Sequence, residues 1–442
     1  MKHIVSFLCA TAVVTNAFRM MATQMKSSIS MSAVAESRNV PTFELPQYSP
    51  LQGKALSILE KPVPSLSEVK KIIPKECFVR DTGKSMAYAA LDLITTGACM
   101  FLGAKFLLPL GFTSPKAIAA WTGYAVVTGT AAIGMWVTAH ECGHGAFSDN
   151  RKLQDLVGYL YHSIWLVPYF SWQRSHAVHH ANTNHVTDGE THVPVVAHAS
   201  MKSRLIQPLI GLFGKRSVNA VWGFAQTAAH LVFGWPAYLL FGKTGGSSRG
   251  ITNHFIPYPL TKPPNPAREL YLGARQKMRV LYSDVGIAAA VAGLFFLTKK
   301  FGMATMLAMY GGPYLVVNAW LVLYTWLQHT DVDIPHLKGE DFSFMKGAFL
   351  TVDRPYEKLC FGLVDFLHHK IGSTHVAHHI DCTIPHYNAK KATEAIKTAY
   401  PDLYLYDPTP IAEATWRIAV NCSVVQPKKL TPDSKEVYVF VE

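Results

Sequence analysis

Residues 117–144 read AIAAWTGYAVVTGTAAIGMWVTAHECGH, and this stretch decides the fold. Its apolar part, Ala117–Ala139, is long enough to cross a bilayer of about 30 Å as an α-helix that rises about 1.5 Å per residue. The polar residues that follow begin with His140 and end with His144. Histidines four positions apart lie on one face of a helix. The stretch therefore predicts a membrane span that ends in a pair of candidate metal ligands.

Further apolar segments extend this span into a membrane domain. A span over about Ala87–Phe112 precedes it, and the short link Thr113–Lys116 makes the two a helical hairpin. A second hairpin is predicted over about Val285–Thr298 and Ala304–Gln328. The predicted fold is an all-α integral membrane protein, with about four transmembrane helices in two hairpins and a helical cap domain on one membrane face.

The segments outside the hairpins are predicted to share one compartment. Two hairpins return the chain to the side on which it entered, so residues 140–280 and 329–442 face the same side. Val221–Phe241 between the hairpins is also apolar, but it carries a histidine, a glycine and a proline. It is predicted to be a re-entrant or interfacial helix, and a full span is the alternative.

Two more histidine clusters lie in the regions that share this compartment. Each has histidines at positions i, i+3 and i+4, which presents three rings on one helical stripe. They are His176, His179 and His180, and then His375, His378 and His379. With the first pair they supply eight imidazoles, more than the three or four protein ligands that one zinc ion takes. Eight suit two metal ions of higher coordination number, and imidazole sites with open positions suit iron that binds O2.

The first cluster also fits a competing motif. His140–His144 reads as H-E-x-x-H, in which two histidines bind zinc and Glu141 is the general base of a metalloprotease. That hypothesis needs only one further ligand and leaves the two later clusters without a role. Gly143 would also weaken a long zinc-binding helix. The membrane protease stays as the remote alternative.

The composition supports a membrane protein. Of 442 residues, 49% are hydrophobic and 16% are charged, against roughly 25% charged residues in soluble proteins. The net charge is +12, but there is no basic run interleaved with aromatic residues, so nucleic acid is not a predicted partner. Basic flanks that meet anionic lipid headgroups explain the excess. The seven cysteines form no CxxC pair, which argues against a disulfide framework and a thiolate metal site.

The N-terminal residues have the features of a targeting presequence. Lys2 precedes the apolar stretch Ile4–Val14, Asn16–Phe18 offers a cleavage site, and Arg19–Ala35 contains no acidic residue. Residues 1–35 resemble the two-part plastid presequence of algae with complex plastids. A plastid membrane is therefore predicted, and the endoplasmic reticulum membrane is the alternative.

The rest of the chain divides into three predicted parts. Residues 36–86 form an N-terminal segment before the membrane, 87–420 the membrane domain, and 421–442 a C-terminal tail. In the first part, Ser65–Glu68 followed by Val69–Ile73 predicts a capped amphipathic helix that lies on the membrane surface.

The motifs together resemble a known family. The chain is similar to the acyl-lipid desaturases of the membrane fatty-acid desaturase superfamily, whose signature is HxxxH, HxxHH and HxxHH around a non-haem di-iron centre. The similarity runs from about Pro64 to Ala419. Beyond the histidine clusters, the segments that carry it are Trp165–Trp172, Thr325–Thr330 and Thr351–Arg354.

Within the superfamily the chain looks most like the delta-12 (omega-6) enzymes, which convert oleoyl to linoleoyl chains. Glu141 and Ala377 resemble that subgroup, whereas omega-3 enzymes more often have Asp at the first of these positions. Ala177-Val178 departs from the basic residues common in plants, which puts the substrate or the lineage in doubt. An omega-3 (delta-15) desaturase and a fatty-acyl hydroxylase of the same superfamily remain alternatives.

The resemblance also implies the cofactors and partners. It implies two non-haem iron ions, O2 as co-substrate, a lipid acyl substrate and His329 as a ninth ligand. The chain has no flavin or haem motif, so electrons come from an external donor, ferredoxin in a plastid or cytochrome b5 in the endoplasmic reticulum. The chemistry is expected from the di-iron centre, so no side chain is assigned as catalytic.

The remaining candidates are polar neighbours of the clusters. Glu141, Asp188 and Glu190 are predicted to accept ring N–H bonds and orient the ligands. The other eleven histidines are predicted to be surface groups or neighbours of the ligands. They include His185, His192, His230, His368, His369 and His386.

Overall fold

The computed structural model of the chain describes residue 51 and residues 53–196, 201–242, 244–429 and 436–441. Within this part, four helices are long and apolar enough to cross a membrane. These four spans are, in chain order, Thr82–Leu110, Pro115–His144, Ala274–Phe301 and Met303–His329. The predicted all-α membrane fold with two hairpins is confirmed. The predicted presequence, residues 1–35, lies outside the described residues.

The described elements follow one another with short connections. In chain order the α-helices are α1 (Lys54–Glu60), α2 (Leu66–Ile72), α3 (Thr82–Leu107), α4 (Pro115–His144), α5 (Arg151–Ile164), α6 (Tyr169–Ala181), α7 (Met201–Phe213), α8 (Lys215–Phe241), α9 (Ala274–Phe301), α10 (Met303–Met306), α11 (Gly312–His329), α12 (Phe344–Phe349), α13 (Leu363–Leu367), α14 (His375–Ile380), α15 (His386–Ala399) and α16 (Ile411–Asn421). The strands are β1 (Val195–Val196), β2 (Val424–Lys429) and β3 (Glu436–Val441). A π-helical turn, Leu307–Gly311, joins α10 to α11 within the fourth span.

The spans begin at capping residues that hydropathy alone does not show. Asp81 caps the first span by accepting a hydrogen bond from the backbone N–H of Lys84, and Ser114 caps the second through the N–H of Ala117. Each cap satisfies an N–H that has no partner within its helix. The third span begins at Ala274, well before the predicted Val285, because its charged first turns lower hydropathy without ending the helix.

The second span lies at the centre of the membrane domain. In its most apolar window 61% of the residues are buried, against 11%, 17% and 28% in the first, third and fourth spans. The packing around it is tight at Gly134, where an added Cβ would lie 2.4 Å from Asp92 Oδ1 and 2.8 Å from the carbonyl oxygen of Leu367. This central position brings the end of the second span, with His140 and His144, under the cap.

The cap is built by the helices that follow the second and fourth spans, together with α2. The capping box predicted at the start of α2 is present: Glu68 N–H donates to Ser65 Oγ, and Ser65 N–H donates to Glu68 Oε2 at 2.7 Å. The prediction that this helix lies on the membrane surface is wrong. Its apolar residues Val69 and Ile73 are buried in the core of the cap with Phe349 and Ile396.

The segment after the second cluster and the end of the chain meet in a small sheet. β1 pairs in parallel with β2 (Val195 with Val424), and β2 pairs antiparallel with β3. Residues of the predicted tail are therefore folded against the cap. The apolar segment between the hairpins forms the continuous helix α8, which is not among the four candidate spans, in keeping with the predicted re-entrant or interfacial helix.

Candidate metal centre

The three histidine clusters converge although they lie far apart in sequence. His140 and His144 are in the last turn and a half of α4, which ends where Gly145 takes a left-handed conformation with φ of 78°. The second cluster is in the last turns of α6, and the third forms most of the short helix α14. The side chains of these helices face one another in a buried space beneath the cap.

The first of two histidine groups combines all three clusters. It has five members whose candidate ligand nitrogens all lie within 4.8 Å of one another. They are His140, His144, His176, His180 and His378. We call these five residues group one. No single zinc ion of a metalloprotease needs five histidines, so this convergence disfavours the H-E-x-x-H hypothesis.

The second group lies beside the first and includes the residue at the end of the fourth span. His179, His329 and His379 meet the same 4.8 Å limit, and His375 Nε2 is 3.0 Å from His329 Nε2. We call these four residues group two. The stacked rings of His180 and His379, with centroids 4.1 Å apart, join the two groups. The structure thus brings together all nine histidines predicted as ligands.

The spacing of the ring nitrogens fits metal ions that each take several ligands. The Nε2 atoms of His140 and His144 are 3.1 Å apart, those of His176 and His180 are 3.2 Å apart, and those of His179 and His329 are 3.2 Å apart. Two nitrogens about 2.1 Å from one ion lie about 3 Å apart when the angle at the ion is near 90°. Such an angle is typical of five- or six-coordinate ions rather than of tetrahedral zinc.

Several ring nitrogens of the centre are left without hydrogen-bond partners in the described part of the chain, among them the Nε2 atoms of His378 and His379. Among the described residues none bonds to His378 Nε2 or to His379 Nε2, and both rings are buried. A buried polar atom without a partner costs free energy, and native proteins seldom leave one without a reason. A bound metal ion would supply the missing partner for both atoms.

The electrostatics keep these rings ready to bind a cation. For the histidines of α6 and α14, burial and then the proximity of other imidazoles lower the pKa, in the case of His179 to about 3. The rings are therefore neutral at pH 7. Because only a neutral imidazole has a lone pair for a metal, the centre is in its binding form under physiological conditions.

Thr183 orients a ring of group two. Its Oγ1 donates to the carbonyl oxygen of His179 at 2.8 Å and lies 3.1 Å from His379 Nδ1. Since the hydroxyl proton is already used, His379 Nδ1–H is the donor in the second contact. This tautomer leaves the lone pair of His379 Nε2 free, which is the arrangement that metal-binding histidines need.

Asp353 fixes the helix that carries the third cluster. Its Oδ1 accepts a hydrogen bond of 2.9 Å from the N–H of Val376, and its Oδ2 accepts one of 2.7 Å from the Tyr404 hydroxyl. A carboxylate at the first turn satisfies a free N–H and interacts well with the helix dipole. In the sequence, Asp353 stands out only as part of the similar segment Thr351–Arg354, without a role of its own.

The three acids predicted to orient ligands have other contacts. Glu141 Oε2 accepts from the N–H of His386 at 2.8 Å, and its Oε1 is 3.7 Å from His140 Nδ1, too far for a hydrogen bond. Asp188 lies 3.1 Å from Arg268. Glu190 accepts from the Tyr238 hydroxyl at 2.7 Å, and burial raises its pKa to about 8. An orienting role for these acids stays a prediction.

A buried charge cluster behind group two was missed by the sequence analysis. It consists of Arg354, Asp331, Asp407 and Arg417, of which the first three have fully buried side chains. Arg354 also donates from Nε to the carbonyl oxygen of Leu327 at 2.7 Å, and from Nη2 to that of Thr330. These carbonyls flank His329, so the cluster fixes the end of the fourth span.

Two histidines expected at the surface or beside the ligands are buried between the spans. His368 Nε2 donates to the carbonyl oxygen of Thr130 at 2.7 Å, and its Nδ1 accepts from the Tyr324 hydroxyl. His369 Nε2 lies 2.9 Å from Asp92 Oδ2. The surface expectation is wrong for this pair, because their polar partners are supplied by membrane spans that are distant in sequence.

Comparisons with known proteins agree with this geometry. Residues 117–409 match the family model described as fatty acid desaturase. The chain is 39% identical to a delta(12)-fatty-acid desaturase of Arabidopsis thaliana over 86% of its length and 92% of the relative's. It is 39% identical to the omega-6 fatty acid desaturase, endoplasmic reticulum isozyme 2, of Glycine max, with the same two coverages. It is also 36% identical to an oleoyl-12-hydroxylase of Ricinus communis, over 84% of this chain and 89% of that one.

Proposed function

The chain belongs to the fatty acid desaturase family, and from this premise we propose that it is an O2-dependent oxidoreductase that inserts a cis double bond into an acyl chain of a membrane lipid. Its reaction is delta-12 desaturation, which converts oleoyl to linoleoyl chains, as the names of its relatives support. The observation that carries the proposal is the pair of buried histidine groups at the ends of the second and fourth spans.

We propose that groups one and two each hold one iron ion. No side chain makes the hydrogens of a mid-chain methylene acidic, so acid–base catalysis alone cannot remove them. When bound, the two non-haem irons supply the oxidation by O2 that this step requires. The chain's own residues bind and orient: Thr183 sets the tautomer of His379, Asp353 fixes α14, and Arg354 fixes the helix end that carries His329.

We propose that the protein lies in the endoplasmic reticulum membrane and receives its electrons from cytochrome b5. The name of the Glycine max relative supports this compartment, and the donor follows from the compartment. The plastid prediction, with ferredoxin as donor, rests on residues 1–35 of this chain. Expression of the full chain with a C-terminal fluorescent tag, in an alga that has a complex plastid, tests the proposal. A reticular signal supports the endoplasmic reticulum, and a signal confined to the plastid overturns it.

Expression in yeast that lacks linoleate tests the reaction. We expect linoleate to appear in the membrane lipids with the wild-type chain and not with His180→Ala, a variant of group one. If no linoleate forms but added linoleate becomes alpha-linolenate, the omega-3 alternative replaces delta-12. The similarity to the oleoyl-12-hydroxylase makes 12-hydroxy-oleate the product to look for next, and its presence as the main product overturns the desaturase proposal.

A further inference from the structure

The proposed reaction needs protons from outside the buried centre. Its balance is R–CH2–CH2–R′ + O2 + 2 e⁻ + 2 H⁺ → R–CH=CH–R′ + 2 H2O. Two C–H bonds break and one C=C bond forms, which provides two electrons and two protons toward the reduction of O2. The donor provides the other two electrons. Two further protons must therefore reach the histidine groups from the aqueous side in every turnover, and the inference below rests on the proposed function.

A second cluster of polar side chains connects the surface of the cap to the centre. Asp92 Oδ2, in the first span, lies 2.9 Å from His369 Nε2 and accepts a hydrogen bond of 2.7 Å from Thr138 Oγ1. The rings of His369 and His386 have centroids 4.3 Å apart. His386 is partly exposed and also contacts the ring of Tyr88, at 4.6 Å. These contacts form one connected set from the first span to the edge of the cap.

The hydrogen bond to Asp92 orients the ring of His369. With its Nε2–H donated to the carboxylate, Nδ1 is the remaining polar atom of the ring. Among the described residues, none bonds to this buried Nδ1. An unpartnered buried polar atom points to a small polar molecule that shares its space.

A cavity of suitable size is lined by His369. It has a volume of about 10 Å³, and its lining includes Glu141, His369, His378 and His386. One water molecule needs about this volume and two to four polar partners. His378 belongs to group one, so a water in the cavity would stand between the His369–His386 pair and the centre.

We propose that His386, His369 and a water molecule in this cavity form the path by which solvent protons reach the histidine groups. His386 is the member on the solvent side, and His369, whose ring Asp92 orients, holds the water through Nδ1. Glu141 anchors the segment by accepting the N–H of His386, and the path needs no proton transfer through it.

The surroundings of His386 suit this role. The groups that face it are Tyr88 and Lys84 of the first span, Glu141 of the second, His369 and Lys370 of the loop before α14, and Tyr387. Burial first, and then the neighbouring His369, Lys370 and Lys84, lower the pKa of His386 well below its usual value. The ring is therefore neutral between turnovers and passes a proton inward without retaining it.

The test compares three histidine-to-glutamine variants of the full-length protein in lipid nanodiscs. His386→Gln and His369→Gln interrupt the path, and His336→Gln alters a buried histidine elsewhere in the cap. We expect both path variants to keep the wild-type iron content, while the rate of linoleate formation falls by about 10²-fold, as for loss of a positioned proton donor. We also expect their solvent deuterium isotope effects to exceed that of the wild type. His336→Gln should match the wild type in all three measurements.

Exchange of the imidazole C2 hydrogen with deuterated water, followed by mass spectrometry, supplies a readout that needs no turnover. Because water reaches His369 through the cavity, the C2 hydrogen of His369 should exchange clearly faster than that of His336. It should exchange more slowly than the C2 hydrogen of His386. Equal exchange at His369 and His336 overturns the path. So do wild-type rates and isotope effects in both path variants, or a loss of iron from both, which would show a packing role. A wild-type chain without any desaturation would instead overturn the proposed function.

Discussion

The histidine centre and the charge cluster of Arg354 are neighbouring buried polar regions. They differ in how far their polar groups are hydrogen-bonded to other protein groups. In the charge cluster the two arginines and two aspartates meet one another, and Arg354 also reaches two backbone carbonyls. In the histidine centre, ring nitrogens such as His378 Nε2 and His379 Nε2 have no bond to any described residue. A satisfied polar region holds the fold together, whereas an unsatisfied one is built for something that must still bind.

Removal of one histidine from group two should give the largest effect. We expect His329→Ala to lower desaturation by more than the about 100-fold that loss of an orienting neighbour causes, and to reduce iron from two ions to at most one per chain. His230→Ala is the matched control, since this ring stacks on Trp326 one turn earlier, with centroids 4.2 Å apart. Iron analysis and lipid analysis check both variants. If His329→Ala retains two ions and its activity, His329 is not a ligand.

Removal of one charge from the cluster should instead unfold the protein. We expect Arg354→Met to lower the free energy of unfolding by about 3–5 kcal/mol, because the fully buried Asp331 and Asp407 then share Arg417 alone and their two negative charges are no longer balanced. Arg268→Met breaks the partly exposed pair with Asp188 and should cost less than about 1 kcal/mol. Thermal unfolding in detergent measures both. Equal stability of the two variants would show that the cluster does not hold the fold.

Loss of an orienting bond should weaken metal binding without unfolding the chain. We expect Thr183→Val to lower iron affinity by about 10- to 100-fold, because His379 loses the partner that fixes its tautomer. Thr227→Val is the control, since Thr227 donates to a carbonyl of its own helix, that of Gly223, at 2.8 Å. Iron retention during titration with a chelator checks the prediction. Identical retention in both variants would contradict it.

Mild acid should lower the free energy of unfolding through the buried histidines but not through the buried ion pairs. Burial lowers the pKa of His336 to about 3, so below the unfolded value of about 6.5 only the unfolded chain gains this proton. Stability is therefore lost as pH falls, by about 2 kcal/mol between pH 7 and pH 5 for this one group. Burial alone would raise the pKa of Asp407, but Arg354, Thr409 and Arg417 lower it, so its contribution persists until pH falls below 4.

His336→Gln isolates this effect. The variant lacks the titrating ring, so its unfolding free energy should fall by about 2 kcal/mol less than that of the wild type over the same pH range. Parallel pH curves for the two proteins, measured by thermal unfolding at pH 7, 6 and 5, would contradict the prediction.

The sequence predicted what depends on local spacing. Histidines at i, i+3 and i+4 lie on one face of a helix wherever the helix is placed. Apolar runs long enough to cross a bilayer can likewise be recognised from the sequence alone. The spans, the two hairpins and the convergence of three clusters were predictable for this reason. His329 was found only through the similarity of its surroundings, because a single histidine after a span has no pattern of its own.

The sequence could not predict contacts that depend on packing between distant segments. The third cluster is divided, with His378 in group one and its neighbour His379 in group two, although the two are adjacent in the chain. Asp92 and His369 are 277 positions apart. A buried aspartate in a span does signal a partner, but only the packed structure identifies it.

The charge cluster has a consequence for biosynthesis. The end of the fourth span, with His329, is held by Arg354, which shares Asp331 and Asp407 with Arg417. A nascent chain that has just inserted its fourth span has not yet synthesised Arg417. The charge cluster that holds the end of this span is therefore incomplete at that moment. A chain truncated before residue 417 should therefore reach the membrane with the end of its fourth span, and His329 with it, less firmly held.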